Sequence, residues 1–292
     1  MPSLDGYSIR SPVSSLHRDQ GAAGQPDVAS PPVETPTAVP LLGVPLAVTD
    51  YEQTMDWIDG MVAQRTPGYV VVAAVHCVMV CQEDPAMLEA VRSSSLTVPD
   101  GQPLVWAMNA LGYSLPSRVY GPELMARYCE RSASTGTRMF LYGGRNQGSL
   151  VQLALNLRRR YPGVRIVGGY SPPHRPLTDE ESDAIAVEID AVAADVVWVG
   201  IGVPKQEKWM AAMRDRLRAP ILIGVGAAFD FHAGLVPQAP NWMQHLGLEW
   251  MFRLAHEPRR LWRRYARYNP RFVLGFARQY VRHRLSGGRR VG

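Results

Sequence analysis

One stretch of the chain constrains the fold more than any other: residues 195–210, which read D-V-V-W-V-G-I-G-V-P-K-Q-E-K-W-M. Val196 to Val199 form an unbroken apolar run, which is the pattern of a strand buried on both faces of a parallel sheet. Glycines and a proline end the run, and an amphipathic segment follows. The stretch therefore predicts a strand, a loop and a helix in that order.

The same alternation of apolar strand and amphipathic helix runs from residue 41 to residue 240. It predicts an α/β protein with a Rossmann-like, three-layer α/β/α architecture and a mostly parallel sheet joined by right-handed crossovers. Thr178 and Glu181 have the spacing of a capping box, so a helix is expected to begin there. Thr49 or Asp50 is expected to cap the first helix of the domain.

Three segments of the chain differ in composition. Residues 1–40 contain seven prolines and few large apolar side chains, so we expect a disordered N-terminal tail. Residues 41–250 are predicted to form the α/β core. Residues 251–292 carry twelve arginines, no lysine and one acidic residue, a net charge of +11; since the whole chain carries +5, the other 250 residues carry −6. A basic appendage on an acidic core indicates a polyanionic partner.

Aromatic residues accompany the arginines of residues 251–292 at helical spacing. We expect two basic amphipathic helices, separated by a break at Pro270. Their apolar stripes contain Leu261, Tyr265 and Tyr268 in the first helix, and Phe272, Phe276 and Tyr280 with Val273, Ala277 and Val281 in the second. Such helices are typical of proteins that lie on an anionic membrane surface. Binding of RNA and docking on the chain's own core remain as alternatives.

The location of the protein is predicted from its cysteines and its apolar segments. Cys77, Cys81 and Cys129 have no CxxC spacing, which fits a reducing compartment better than a disulfide framework. No signal peptide is recognisable at the N-terminus. The longest apolar run, residues 69–81, is shorter than the roughly 20 residues needed to span a bilayer. We therefore expect a cytoplasmic protein.

Polar residues follow several of the predicted strands, at the edge where open α/β sheets bind their ligands. Asp100 ends the strand S-L-T-V-P and precedes a strongly apolar helix. Partial desolvation there would raise the pKa of Asp100 and make it a better general base. Alternatively, Asp100 is a structural residue of a turn, where its side chain hydrogen-bonds to the local backbone. Lys205, Gln206 and Glu207 follow the strand of residues 196–199, and their side chains are expected to face one site. Alternatively, this is an ordinary turn into a helix, and the three polar side chains are exposed to solvent.

Two glycine-containing loops are candidates for anion binding. Residues 143–149, G-G-R-N-Q-G-S, follow a strand and open a helix, so backbone N–H groups there are expected to hold a phosphate. The loop matches neither the P-loop nor the G-x-G-x-x-G fingerprint. Gly200 and Gly202 would let backbone N–H groups approach an anion in the same way. Asp230 and His232 end a further strand at this edge, and His232 is expected to be structural.

Five motifs in this order resemble the WecG/TagA/CpsF family of bacterial glycosyltransferases. They are P-D-G at 99–101, R-V-Y-G at 118–121, the G-G-x-x-x-G loop, G-I-G-V-P-K-Q-E, and G-L-E-W-M-F-R-L-x-x-E-P-R-R. The resemblance covers about residues 41–271. It implies transfer of a sugar, N-acetylmannosamine in the best-known branches, from a UDP-sugar to a polyprenyl-diphosphate-linked acceptor. It also implies inversion at the sugar, no cofactor and no essential metal.

The resemblance also implies roles for individual residues. Asp100 would be the general base, Arg118 and Gln206 would contact the donor, and arginines of the appendage would close over the diphosphate. The predicted catalytic set is Asp100, Arg118, Arg253, Arg260 and Arg263. The predicted donor site contains Gly143, Gly144, Gly200, Gly202, Pro204, Lys205, Gln206, Glu207 and Asp230, and no residue is predicted to bind a metal.

One departure from the family pattern bears on the substrate. Where the family usually has T-x-N before the catalytic aspartate, this chain has Val72-Ala73-Ala74. His76 is predicted to contact the acceptor in compensation, and a buried structural imidazole is the alternative. The expected partners are a UDP-sugar, a polyprenyl-diphosphate-linked acceptor and the anionic inner face of the cell membrane. No nucleic acid is expected as a partner, and an oligomer is possible. The rival function is a non-catalytic nucleotide-binding module that recruits RNA or a protein through its tail.

Overall fold

The structure, a computed structural model, describes residues 33–286. The predicted disordered tail therefore lies outside the described residues from 1 to 32. Its boundary at residue 40 is too late, because β1 (Ala38–Leu41) already pairs with β2 (Val44–Ala47) in an antiparallel hairpin. Val39 and Leu41 of this hairpin are buried, so the folded part of the chain begins before residue 41.

A six-stranded sheet forms the centre of the molecule. Its strands are β3 (Gly68–Ala73), β4 (Leu96–Pro99), β5 (Arg138–Gly143), β6 (Arg165–Tyr170), β7 (Val196–Gly200) and β8 (Ile221–Gly224). All its pairings are parallel, in the order β4–β3–β8–β7–β5–β6. The predicted parallel sheet is confirmed, and β7 coincides with the apolar run of residues 196–199.

Helices connect the strands and continue to the C-terminal end of the described chain. They are α1 (Tyr51–Ala63), α2 (Val75–Cys81), α3 (Pro85–Arg92), α4 (Gln102–Ala110), α5 (Gly121–Thr135), α6 (Gln147–Arg160), α7 (Asp179–Ala191), α8 (Lys205–Met213), α9 (Ala228–His232), α10 (Asn241–His245), α11 (Glu249–His256) and α12 (Pro258–Leu285). Asp50 caps α1, and Thr178 with Glu181 forms the predicted capping box of α7.

Alternate residues of each strand belong to two separate hydrophobic cores. In β3, Val71 and Ala73 join the core that includes α2, α3, α4, α7, α8 and α12. Val70 and Val72 join the core that includes α1, α5, α6 and α9. Because the side chains of a strand point alternately to opposite faces, helices cover both sides of the sheet. The predicted three-layer, Rossmann-like architecture is confirmed.

The appendage differs from its prediction, because α12 runs through Pro270 as one helix of 28 residues. Pro270 has no N–H to donate to the carbonyl of Ala266, but both residues are exposed, so water can satisfy that carbonyl. Leu261 before the proline and Phe272 after it are both buried against the core. Packing of both halves on one surface outweighs the local tendency of proline to end a helix.

The aromatic residues of the predicted stripe of α12 pack on the chain itself and do not face outward, whereas Val273, Ala277 and Val281 of the same stripe are exposed. Phe272 is buried in the core, and Tyr268, Phe276 and Tyr280 pack against that core. Tyr265 makes an edge-to-face contact with Trp250. Within residues 33–286, no helix combines the length and the hydropathy that a membrane span requires.

Polar contacts fasten the same helix to the core at two places. Glu83 accepts hydrogen bonds from Arg267, Tyr268 and Arg271. Further along, Gln279 accepts from the backbone N–H of Leu42, at the turn of the hairpin, and donates to a neighbouring carbonyl. The first half of α12 is thereby held over the carboxyl edge of the sheet, where the candidate site lies.

Candidate active site

A cavity of about 1650 Å³ opens at the carboxyl ends of the parallel strands. Its floor is made by the segments that follow β3, β4, β5, β7 and β8, and α11 and α12 contribute one wall. The wall is rich in arginines and aromatic side chains, whereas the floor includes two aspartates, several glycines and an amide. The residues that line the cavity include His76, Asp100, Arg118, Gly144, Gly200, Gly202, Lys205, Gln206, Asp230, Arg253, Arg260 and Arg264.

Asp100 lies directly after β4 and faces this cavity. Its Oδ1 accepts the backbone N–H of Gly121, the first residue of α5, at 2.8 Å. Burial raises the pKa of Asp100 to about 6; Glu249 adds to the rise, while Arg118, the Gly121 N–H and Arg253 oppose it. The direction agrees with the sequence-based prediction, and it leaves a carboxylate that binds a proton more readily than an exposed aspartate.

Arg118 belongs to a network of charged and hydrogen-bonded groups next to Asp100. It donates to Glu249 Oε2 and to Gln244 Oε1, each at 2.9 Å, and its guanidinium lies 4.1 Å from the ring centroid of Tyr120. The Tyr120 hydroxyl donates to Glu249 Oε1 at 3.0 Å. Burial disfavours the charged guanidinium, but the carboxylates of Asp100 and Glu249 outweigh it and raise the pKa of Arg118. The cation is therefore held in place at the cavity.

The arginines of the appendage divide between the cavity and solvent. Arg253 and Arg260 line the cavity, as predicted, whereas Arg263 does not. Arg263 is exposed and lies over the ring of Trp262. Arg264, which the sequence analysis did not select, lines the cavity instead, and burial lowers its pKa. The assignment of Arg263 to the site is wrong by one residue, because consecutive residues of a helix point about 100° apart.

The loop after β5 does not offer the free amides that were predicted. The N–H of Gly144 donates to Gly200 O at 3.2 Å, and the N–H groups of Arg145 and Asn146 donate to Ser149 Oγ at 3.0 and 3.1 Å. The Arg145 and Asn146 donors belong to the N-terminal capping of α6. These three amides are therefore not free to hold a phosphate in this arrangement, although Gly144 itself lines the cavity.

Two residues of the predicted donor site, Gly143 and Pro204, do not line the cavity. A Cβ at Gly143 would lie 2.5 Å from Gly200 O, so this glycine allows β5 and β7 to end side by side. Pro204 follows a cis peptide bond and precedes α8. Neither residue lines the cavity, whereas Gly200 and Gly202 do.

The three polar residues that begin α8 are not directed at one site. Lys205 is exposed and Gln206 is buried, and both line the cavity. Glu207 is fully buried, does not line the cavity, and accepts a hydrogen bond from Gln206 Nε2 at 2.8 Å. Its predicted contact with the donor is therefore wrong, since successive side chains at a helix start point in different directions.

Two further predicted residues lie in the cavity with definite partners. Asp230 forms a bidentate pair with Arg145, at 3.0 and 3.1 Å. The ring of His76 lies 5.2 Å from that of Tyr268, and burial, with a smaller contribution from Arg264, lowers the pKa of His76 to about 4. Its imidazole is therefore neutral near pH 7. His232 is structural as expected, because its Nε2 is bonded to the Pro122 carbonyl at 2.8 Å.

The family model for the glycosyl transferases of the WecG/TagA/CpsF family matches residues 39–286. The chain belongs to this family. The match extends through α12, so the appendage that carries Arg260 and Arg264 is included in the WecG/TagA/CpsF fold. Membership identifies the chain as a glycosyltransferase and removes the support for a non-catalytic nucleotide-binding module.

Two named relatives show how far the similarity reaches. An N-acetylglucosaminyldiphosphoundecaprenol N-acetyl-beta-D-mannosaminyltransferase of Staphylococcus aureus (strain MRSA252) is 28% identical over 228 residues, covering 77% of this chain and 87% of the relative. A protein of the same name from Bacillus spizizenii (strain ATCC 23059 / NRRL B-14472 / W23) is 28% identical over 204 residues, covering 69% of this chain and 76% of the relative. Similarity on this scale agrees with the resemblance predicted from the motifs.

The structure of this WecG/TagA/CpsF-family chain also brings to the site residues that were not among the predicted ones, although Tyr120 and Glu249 lie within two of the five motifs. Glu249 and Tyr120 complete the network around Arg118, and Arg145 pairs with Asp230. Arg264 could have been found from its spacing, because it lies four residues after Arg260 and therefore on the same helical face. Across the described part of the chain, no three His, Cys, Asp or Glu residues are grouped as a metal site would require.

Proposed function

We propose that this chain is an inverting glycosyltransferase that moves N-acetylmannosamine, or a related hexosamine or hexose, from a UDP-sugar to a polyprenyl-diphosphate-linked acceptor. The product would enter cell-surface polysaccharide synthesis. One observation carries the proposal: the Asp100 carboxyl, with its raised pKa, faces a cavity that is also lined by Arg118, Arg253 and Arg264. A base and a set of cations thus share one cavity.

The proposed reaction is a single displacement. The Asp100 carboxylate takes the proton of the acceptor hydroxyl as its oxygen attacks the anomeric carbon of the donor sugar. The bond between that carbon and the UDP oxygen breaks, and UDP leaves with the bonding electrons. Attack from the face opposite the leaving group inverts the anomeric centre. Guanidinium groups held in a partly desolvated wall stabilise the charge that develops on the diphosphate.

These guanidinium groups are the basis for proposing that no metal ion is essential. Arg118 is held by Glu249 in a pair that is largely buried, so its position is set before a diphosphate arrives, whereas Arg260 pairs with Glu257 at 2.6 Å and remains half exposed. Arg253 and Arg264 each have a buried Nε without a partner among the described residues. Preorganised cations of this kind can serve the role that a divalent ion has in other glycosyl transfers.

The size of the cavity and the names of the relatives support the lipid-linked acceptor. At about 1650 Å³ the cavity is larger than the roughly 300–1,000 Å³ of an ordinary single-ligand pocket, so a nucleotide sugar and part of a second substrate can be present together. The relatives are named for a GlcNAc-diphosphoundecaprenol acceptor. The aromatic side chains of Trp250, Phe272 and Phe276 along the wall offer apolar contact to the lipid end of such a molecule.

The outer face of α12 supports peripheral association with the inner face of the cell membrane. Trp262, Val273, Leu274, Val281 and Leu285 are all exposed, from 52% to 82%, and Ala266 and Ala277 lie between them. This outer stripe is distinct from the aromatic residues that pack on the core. Exposed arginines lie within this face and beside it, at positions 259, 263, 267, 278, 282 and 284. An exposed helix face that combines apolar side chains with arginines suits an anionic lipid surface.

The decisive experiment replaces the proposed base. Asp100→Asn keeps the size of the side chain but removes its basicity, so sugar transfer from UDP-sugars to a synthetic GlcNAc-diphospho-lipid should fall by on the order of 10³-fold. Binding of UDP, measured by calorimetry, should persist. Asp56→Asn is a matched control on the exposed face of α1 and should keep full activity. Undiminished turnover by Asp100→Asn would rule out this mechanism.

A further inference from the structure

Gln206 and Glu207 form a buried polar pair beneath the cavity. Their residues are 2% and 0% exposed, and Gln206 Nε2 donates to Glu207 Oε1 at 2.8 Å. Gln206 lines the cavity, whereas Glu207 lies behind it. Gln206 Oε1 and Glu207 Oε2 have no hydrogen-bond partner among the described residues. A buried amide oxygen without a partner is costly, so its retention next to a ligand cavity calls for a function.

The nitrogen and the oxygen of the Gln206 side-chain amide have different neighbours. A Cβ on Gly224 would lie 3.1 Å from Gln206 Nε2, and a Cβ on Gly226 would lie 3.5 Å from Gln206 Oε1. The amide thus packs under the turn between β8 and α9, with its oxygen nearer Gly226, which also lines the cavity. When Glu207 is ionised, the opposite orientation would place the amide oxygen against Glu207 Oε1, where two acceptors would face each other without a shared hydrogen.

We propose that Glu207 is a positioning residue: by accepting the hydrogen bond of Gln206 Nε2, it makes Gln206 present its carbonyl oxygen, not its NH₂ group, to the bound nucleotide sugar. Gln206 then recognises a hydrogen-bond donor, a hydroxyl or an N–H, of the UDP part of the donor. This inference rests on the proposed function, because it takes Gln206 to contact the UDP-sugar.

Other roles for Glu207 are less consistent with its environment. The carboxyl does not reach the cavity, so it cannot contact the substrate or exchange a proton with it directly. Burial raises the pKa of Glu207 to about 7, and the hydrogen bond from Gln206 opposes that rise. An acidic residue kept in so unfavourable a place contributes little to stability, since an apolar side chain of similar size would cost less to bury. The role that remains for Glu207 is to orient the side-chain amide of Gln206.

A double-mutant cycle tests the inference. Gln206→Ala, Glu207→Met and the double variant are compared for the dissociation constant of UDP by calorimetry and for their melting temperatures. Each single change should weaken UDP binding by about tenfold, and the double variant should bind no more weakly than Gln206→Ala. Glu207→Gln, which still offers an oxygen to Nε2, should bind within about threefold of the parent. Should Glu207→Met fail to fold, Glu207→Asp, whose carboxylate is one carbon shorter, takes its place.

The other outcomes separate this inference from the proposed function. If the two single losses multiply in the double variant, Glu207 acts independently of Gln206 and the positioning role is overturned. If Gln206→Ala binds UDP like the parent, the inference is also overturned, although transfer that depends on Asp100 would still stand. If the parent chain neither binds UDP nor transfers sugar, the proposed function itself is wrong.

Discussion

The guanidinium of Arg118 donates to the Glu249 carboxylate at 2.9 Å, and this pair joins the segment before α5 to the first residue of α11. Both side chains are only 12% exposed. The contact lies next to Asp100, whose pKa depends on both partners. The start of α11 is therefore part of the electrostatic environment of the proposed base, and the activity should reflect that dependence.

The pH dependence of transfer should report the ionisation of Asp100. Because a general base must be ionised, and burial raises its pKa to about 6, kcat/KM should be constant above that pH and fall by about tenfold per pH unit below it. Glu207 also titrates near neutrality, so the profile is repeated with Glu207→Gln. If the fall in kcat/KM at low pH persists in Glu207→Gln, this acid limb of the profile belongs to Asp100. If the acid limb vanishes, its assignment to Asp100 is refuted.

Removal of the negative charge at position 249 should move the acid limb to lower pH. Glu249 raises the pKa of Asp100, and in Glu249→Gln this contribution is lost while Arg118 remains beside the base. We expect a downward shift of about half to one pH unit in the profile of kcat/KM. A limb that stays in place or moves upward would contradict the network described for this site.

The neighbouring arginines Arg263 and Arg264 form a matched pair of test positions. Arg264→Ala removes a cation from the cavity wall and should reduce kcat by about 10²-fold, as expected for loss of a group that stabilises the leaving diphosphate. Arg263→Ala removes an exposed charge and should change kcat by less than about twofold. If steady-state assays show that both variants lose kcat equally, or that Arg263→Ala loses more, the arginines of the cavity wall do not stabilise the leaving diphosphate.

The outer stripe of α12 should control binding to membranes without affecting the fold. Val273, Leu274 and Val281 are exposed, so their replacement by serine should leave the melting temperature nearly unchanged. Sedimentation with vesicles that contain anionic phosphatidylglycerol should fall by at least about tenfold, whereas neutral vesicles should bind both proteins weakly. Transfer to a short, water-soluble acceptor should be retained. Unaltered sedimentation would assign membrane contact to another surface.

The sheet and the position of Asp100 were predictable because their signals are local. An apolar run such as residues 196–199 specifies a buried strand, and a polar residue at its end lies at the carboxyl edge wherever the strand pairs. Asp100 and Gln206 were found in this way. The motifs then extended the prediction to residues of the appendage, which lies far from the base in sequence.

The remaining errors arose where tertiary packing decides the outcome. Choosing between Arg263 and Arg264 requires the rotation of α12 about its axis, which depends on which side chains meet the core. Glu207 was misplaced because a charged residue at a helix start is usually exposed, and nothing local marks it as buried. Pro270 predicted a break that packing on both sides overrides. The loop after β5 was misread because the hydroxyl of Ser149 already takes the amides that a phosphate would need.

The continuity of α12 has a mechanical consequence. At 1.5 Å per residue its 28 residues form a rod about 42 Å long, with Arg264 near one end and Gln279 near the other. Because the helix is continuous, the hydrogen bonds between Gln279 and the N-terminal hairpin also help to set the position of Arg264. The hairpin thus steadies an arginine of a cavity to which it contributes no residue of its own.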